Sequence, residues 1–63
     1  MPATDLPKIG APATRALAAI GITHLEQVAG HSEAELLALH GVGPRAVRIL
    51  GDALAEAGLS LRP

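Results

Sequence analysis

The sequence predicts an all-α fold: a compact four-helix bundle, or five elements counting a short N-terminal turn. Three observations carry that expectation. Of the 63 residues, 13 are Ala and 10 are Leu, the leading helix formers. Seven Gly and five Pro are too many for one long helix and punctuate several short ones. Two Ser/Thr-x-x-Glu sequences precede apolar residues, as helix-opening capping boxes do. No period-two alternation marks a strand.

The elements follow in order. Ala11-Pro12 opens a first helix, with Pro at the first helical position, where its missing N–H is harmless. Ala13, Ala16, Leu17 and Ile20 then recur at i, i+3, i+4 and i+7, one buried stripe. Gly21 supplies the left-handed stop. Thr23-x-x-Glu26 is a capping box for a short second helix with Leu25 and Val28 inward, ended by Gly30. Ser32-x-x-Glu35 opens a third, which carries Leu36, Leu37 and Leu39. His40-Gly41-Val42-Gly43 breaks it. Pro44 opens the fourth and longest helix, with Val47, Leu50 and Leu54 inward and Gly58 as its stop. Leu59-Ser60-Leu61 form a tail that folds back.

Residues 1–63 make one domain with a thin core and a stability of a few kcal/mol at most. The absences narrow the function. With no Phe, Tyr or Trp there is no stacking platform for unpaired bases. With no Cys there is no disulfide, zinc knuckle or thiol nucleophile. Asn, the usual reader of adenine edges, is missing too. No uncharged run approaches the ~18 residues that cross a bilayer. The Met-Pro-Ala-Thr start lacks a leader pattern, so no membrane contact and a cytoplasmic location are expected.

The net charge is −1, yet the charges are sorted. Between Leu6 and Ile22 the only charged residues are Lys8 and Arg15, and between Leu36 and Gly51 only Arg45 and Arg48. A near-neutral total therefore conceals a basic face.

A repeat runs at an offset of 33 residues. Leu6, Ile9, Gly10, Ala13, Arg15 and Leu17 match Leu39, Val42, Gly43, Ala46, Arg48 and Leu50, five of the six pairs being identical. The second copy holds the most specific signal, Gly41-Val42-Gly43-Pro44-Arg45-Ala46. Two glycines allow positive φ and close backbone approach, while Val42 plugs the groove between helices. The following helix leaves N–H groups unpaired at its start, at Gly43, Arg45 and Ala46, Pro44 having none. With the positive end of the helix dipole they suit an anion such as phosphate. Arg45 stands in the first turn, where a cation opposes the dipole at about 0.3–1 kcal/mol. A bound anion reverses that sign. Arg48 pairs with Asp52 in the plainer reading, but Arg before Asp is the weaker i, i+4 order.

These residues resemble a helix-hairpin-helix motif, and the chain resembles a tandem of two: a degraded hairpin at 6–21, a consensus-like one at 33–57, and a tail at 58–63. More closely, it is similar to the C-terminal domain of the bacterial RNA polymerase alpha subunit and to related small stand-alone bacterial proteins. The shared frame is Asp5-Leu6, Ala19-x-x-Ile22, Leu25, Glu33-x-Glu35-Leu36-Leu37, Val42-Gly43 and Leu54-Ala55-x-x-Gly58-Leu59-Ser60-Leu61. The resemblance implies a small helical bundle that contacts the backbone and minor groove of duplex DNA, with Gly43 and Arg45 on the phosphate-contacting turn. Three positions depart. Pro12 stands where that family has a critical Arg, Arg15 where it has Asn, and Ala46 where it has Ser. A plain backbone clamp is implied rather than promoter recognition.

The expected function is weak, salt-dependent, largely sequence-independent binding of double-stranded DNA. The phosphate-binding residues are Gly41, Gly43, Arg45, Ala46, Arg48, Lys8 and Arg15. A protein partner from the transcription or DNA-repair machinery would supply targeting. The alternative is a protein-interaction module that has lost DNA binding. His24, His31 and His40 lack metal-ligand spacing, so no metal or other cofactor is expected. The glycine turn lacks the spacing and Lys-Ser/Thr of a nucleotide loop, and nothing indicates an enzyme.

Overall fold

The computed structural model describes residues 4–63; Met1, Pro2 and Ala3, read above for a leader pattern, lie outside the described residues. Four helices form: α1 (Ala11–Ala19), α2 (Leu25–Val28), α3 (Glu33–Leu37) and α4 (Pro44–Glu56). No extra turn of helix precedes α1 between residues 4 and 10, and no strand occurs among the described residues. None of the helices there is long and apolar enough to cross a membrane.

The helix ends follow the chemistry of their residues. Helix α1 stops in a Schellman motif: Gly21 has φ +85, its N–H donates to the Ala18 carbonyl, and the Ile22 N–H donates to Leu17 at 2.9 Å. Helix α4 ends the same way, with Gly58 at φ +75 and the Leu59 N–H donating to Leu54 at 2.7 Å. Ser32 caps α3 as its sequence predicts: its hydroxyl accepts from the Glu35 N–H and the Glu35 carboxylate accepts from the Ser32 N–H, both at 3.1 Å.

Three local expectations need correction. The N-cap of α2 is His24, not Thr23, and the side chain that reaches back is Gln27. Its amide oxygen accepts from the N–H groups of Thr23 at 2.7 Å and His24 at 3.2 Å. Glu26 is engaged elsewhere, by the Thr4 N–H at 2.9 Å and the Thr4 hydroxyl at 2.6 Å. Pro12 is the second residue of α1, with Gly10 as N-cap; an N–H there is unpaired anyway, so the proline costs nothing. Ile20 was expected inward and is 44% exposed, as is Leu37 of α3 at 41%. Ile20 lies past the last turn of α1, and α3 is too short to bury two faces.

The core is one cluster. Ala13 and Leu17 of α1, Leu25 and Val28 of α2, Leu36 of α3, and Ala46, Val47, Leu50 and Leu54 of α4 meet there with Ile22 and Val42. Helix α4 packs on α2 and α3. Its buried residues recur every three to four positions, which places one apolar stripe on that pair and leaves Arg45, Arg48 and Asp52 in solvent. Each fully buried Leu contributes roughly 1.5–3 kcal/mol.

Both ends of the described chain are tied down beside α2 and α3. The Leu25 N–H donates to the Thr4 carbonyl at 2.9 Å. The tail folds back as its sequence suggests: Leu61 packs against the core, and the Arg62 N–H donates to the His31 carbonyl at 3.0 Å. Arg62 also pairs with Glu35 at 3.0 Å.

Candidate nucleic-acid interface

The second glycine turn leads from α3 into α4. Leu39 and Val42 anchor it from below, Val42 being 6% exposed and its N–H donating to the Leu39 carbonyl at 3.2 Å. Gly41 adopts φ +97, as expected of a glycine in such a turn. A Cβ on Gly41 would lie 2.9 Å from the carbonyl oxygen of Pro12 and 3.2 Å from its carbon. The turn therefore rests directly on the first turn of α1. Gly43 departs from its expected role. It is extended, at φ −107 and ψ 177, and a Cβ there would meet nothing within 4 Å. Any residue can adopt that backbone, so its glycine keeps space open rather than permitting the turn.

Helix α4 begins at Pro44 without a side-chain cap. Its first internal bond runs from the Val47 N–H to the Gly43 carbonyl at 3.1 Å. The amides of Gly43, Arg45 and Ala46 find no acceptor among the described residues. Ala46 is 7% exposed, and its small side chain lets the turn close onto the core.

The first turn is built differently. Residues 4–10 form no helix before it, and its positive φ falls at Gly10 (+94) rather than at Lys8, the repeat partner of Gly41. Thr14 fixes that turn by donating both its N–H (3.0 Å) and its hydroxyl (2.9 Å) to the Gly10 carbonyl.

The two turns share one open cleft of about 410 Å³. Lys8 and Gly10 line it from the first turn, and Gly41, Gly43, Arg45 and Ala46 from the second, over an apolar base of Ile9 and Ile49. Both cations are exposed, and neither makes an ion pair among the described residues. No acid lines the cleft. A helix N-terminus and two unpaired cations beside free amides suit an anion.

Five of the seven expected phosphate-binding residues, Gly41, Gly43, Arg45, Ala46 and Lys8, thus come together. Arg15 and Arg48 do not line the cleft. Both are exposed on helices α1 and α4, and Arg48 forms no bridge to Asp52. Ile9, Gly10 and Ile49 line it although they were not singled out for that role. The repeat pairs Gly10 with Gly43, which was the available signal; nothing in the spacing marked Ile49.

The remaining charges sit apart from the cleft. Hydrogen bonds from the Thr4 hydroxyl and then the Thr4 N–H hold the Glu26 carboxyl below its ordinary range. The Ser32 N–H does the same for Glu35, with the Arg62 charge adding to it. His31 Nδ1 lies 3.4 Å from Glu35, an ion pair when the imidazole is protonated.

Comparison with protein-family models, curated proteins and solved structures finds no match to this chain.

Proposed function

We propose that the protein is a tandem helix-hairpin-helix module, akin to the C-terminal domain of the RNA polymerase alpha subunit, that binds duplex DNA through its phosphates. It is a non-catalytic, cytoplasmic binding module in this reading. The observation that carries it is the shared cleft, where Lys8 and Arg45 flank three amides without acceptors. Amides at Gly43, Arg45 and Ala46 hold a phosphate oxygen. Lys8 and Arg45 supply charge, and Arg15 and Arg48 engage phosphates further along the strand.

So few contacts make the binding weak, with Kd on the order of 10⁻⁴–10⁻⁶ M at physiological salt. With no aromatic residue and no Asn, little base reading is available, and affinity is nearly independent of sequence. A protein partner in transcription or DNA repair supplies targeting.

An amide-resolved NMR titration with a short duplex, run at low and high salt, tests this. Salt-sensitive shifts should centre on Gly41, Gly43, Arg45 and Ala46, and Arg45→Glu should remove them. An unchanged spectrum at millimolar duplex would sink the proposal and leave a protein-docking bundle.

A further inference from the structure

The cleft is shared by the two turns, which bears on what fills it. The close contact of Gly41 with the Pro12 carbonyl holds the turns against each other. Lys8 lines the cleft from one turn and Arg45 from the other, together with Gly10 and Gly43. Two positive side chains therefore line one space with no acid among its lining residues. Two separate strand contacts, one per turn, would need two separate anion sites. Both turns open instead onto one cleft, with a cation from each.

We infer that this cleft is one composite site for a phosphomonoester dianion, so that the module prefers a nucleic-acid end carrying a terminal phosphate over the interior of a duplex. The inference rests on the DNA-binding reading and specifies its ligand. An interior phosphodiester carries one negative charge and leaves half of the two cations' charge unmatched. A terminal phosphate carries close to two at neutral pH and has three acceptor oxygens. It meets both cations and still has an oxygen for the free amides at Gly43, Arg45 and Ala46. A monoester also has a single substituent, which leaves by the open side of the cleft while the phosphate is held between its walls.

The test compares two duplexes of identical sequence, one with 5′-phosphates and one with 5′-hydroxyls, by NMR titration and calorimetry, with inorganic phosphate as a third ligand. The phosphorylated duplex should bind about tenfold more tightly, the ratio that one added charge-assisted contact supplies. Its shifts should fall on Lys8 and Gly10 as well as on Gly43 and Arg45, and inorganic phosphate should move the same amides. The preference should shrink as the pH falls through about 6, where a monoester takes up its second proton. Lys8→Gln and Arg45→Gln should each bring the two duplexes to equal affinity; both side chains are exposed, so folding is not at issue. Equal affinity of the two duplexes for the unaltered protein would overturn the inference and leave the duplex-binding reading standing. A preference that survives Lys8→Gln would overturn it too, because the site would then belong to the second turn alone. Binding of neither duplex overturns both.

Discussion

The two turn-and-helix copies, residues 6–21 and 39–58, agree in what they bury and differ in how they turn. Helices α1 and α4 begin 33 residues apart, at Ala11 and Pro44. Ala13 and Ala46 are both buried, Leu17 and Leu50 are both fully so, and Gly21 and Gly58 end their helices by the same hydrogen bonds. Yet the positive φ sits at Gly10 in one copy and at Gly41 in the other, two positions out of step. Helix α4 is also longer, 13 residues against nine. Buried positions are set by apolar periodicity, which the copies share. The turns differ because the second copy has Gly41 where the first has Lys8, and the glycine they share is left-handed at Gly10 and extended at Gly43. Gly41 also lies close against the Pro12 carbonyl, so the second turn is held by the first copy as much as by its own sequence.

The largest expected effect tests the shared half of that comparison. Leu17→Ala and Leu50→Ala should each cost about 2–5 kcal/mol, comparable to the whole stability of so small a domain. Thermal or denaturant unfolding should find both variants largely unfolded. A cost below about 1 kcal/mol at Leu17 would mean that the first copy is not part of one cooperative core.

The glycines test the other half. Gly41→Ala combines a left-handed backbone, which costs a side chain roughly 1–3 kcal/mol, with overlap against the Pro12 carbonyl. Gly10→Ala meets nothing nearer than 3.9 Å and carries the backbone strain alone, so it should be the milder of the two. Gly43→Ala should leave stability unchanged or raise it by about 0.4–1 kcal/mol through the unfolded chain. It should weaken DNA binding, because its methyl enters the cleft. Denaturant midpoints together with duplex titrations separate these outcomes; a large stability loss at Gly43 would contradict the extended conformation there.

Salt dependence weighs the cleft against the helix surfaces. Each phosphate contact adds about −0.9 to the slope of log affinity on log salt. If Lys8 and Arg45 act alone the slope is about −2, and if Arg15 and Arg48 join them it approaches about −4. The double variants Arg15→Gln/Arg48→Gln and Lys8→Gln/Arg45→Gln should therefore each flatten the slope by about 2. No change from the first pair would confine the interface to the cleft, and no change from the second would move it onto the exposed faces of α1 and α4.

The smallest effect is a pH dependence at the two chain ends. The Glu26 and Glu35 carboxyls both lie below their ordinary value of 4.5 in the folded protein. Their contribution is present above the unfolded value and is lost as the pH falls through the lower folded one. Thr4→Ala removes the leading cause at Glu26 and should make acid unfolding below pH about 4.5 slightly shallower in its proton uptake. Proton-linked unfolding curves of the two proteins measure this; identical curves would mean that the Thr4 contact does not persist in solution.

Much of this was legible in advance. The four helices, both glycine stops, the Ser32–Glu35 box and the inward Leu of α4 follow from local rules, because each depends on neighbours within four residues. Four residues that line the cleft, Gly41, Gly43, Arg45 and Ala46, were legible for a related reason, since the glycine turn and its helix are contiguous in sequence. Some misplaced features are local, as with the His24–Gln27 cap, and others involve partners further away. Glu26 was read as a cap, and Thr4, 22 residues earlier, takes its carboxylate. Arg15 and Arg48 were grouped with the turn residues by the repeat and by their place near the helix starts, and the fold leaves both outside the cleft.

By itself the sequence determined the helical content, the helix ends and the repeated pattern of burial, because Ala, Leu, Gly, Pro and capping side chains act locally. Only the tertiary structure decided that two imperfectly matched turns share one cleft. That depends on the Gly41 turn lying against Pro12, a contact across 29 residues of chain that needs a glycine on one side and a bare carbonyl on the other. Ala13 and Leu17 of α1 share one core with Ala46 and Leu50 of α4, and no local rule contains that distance.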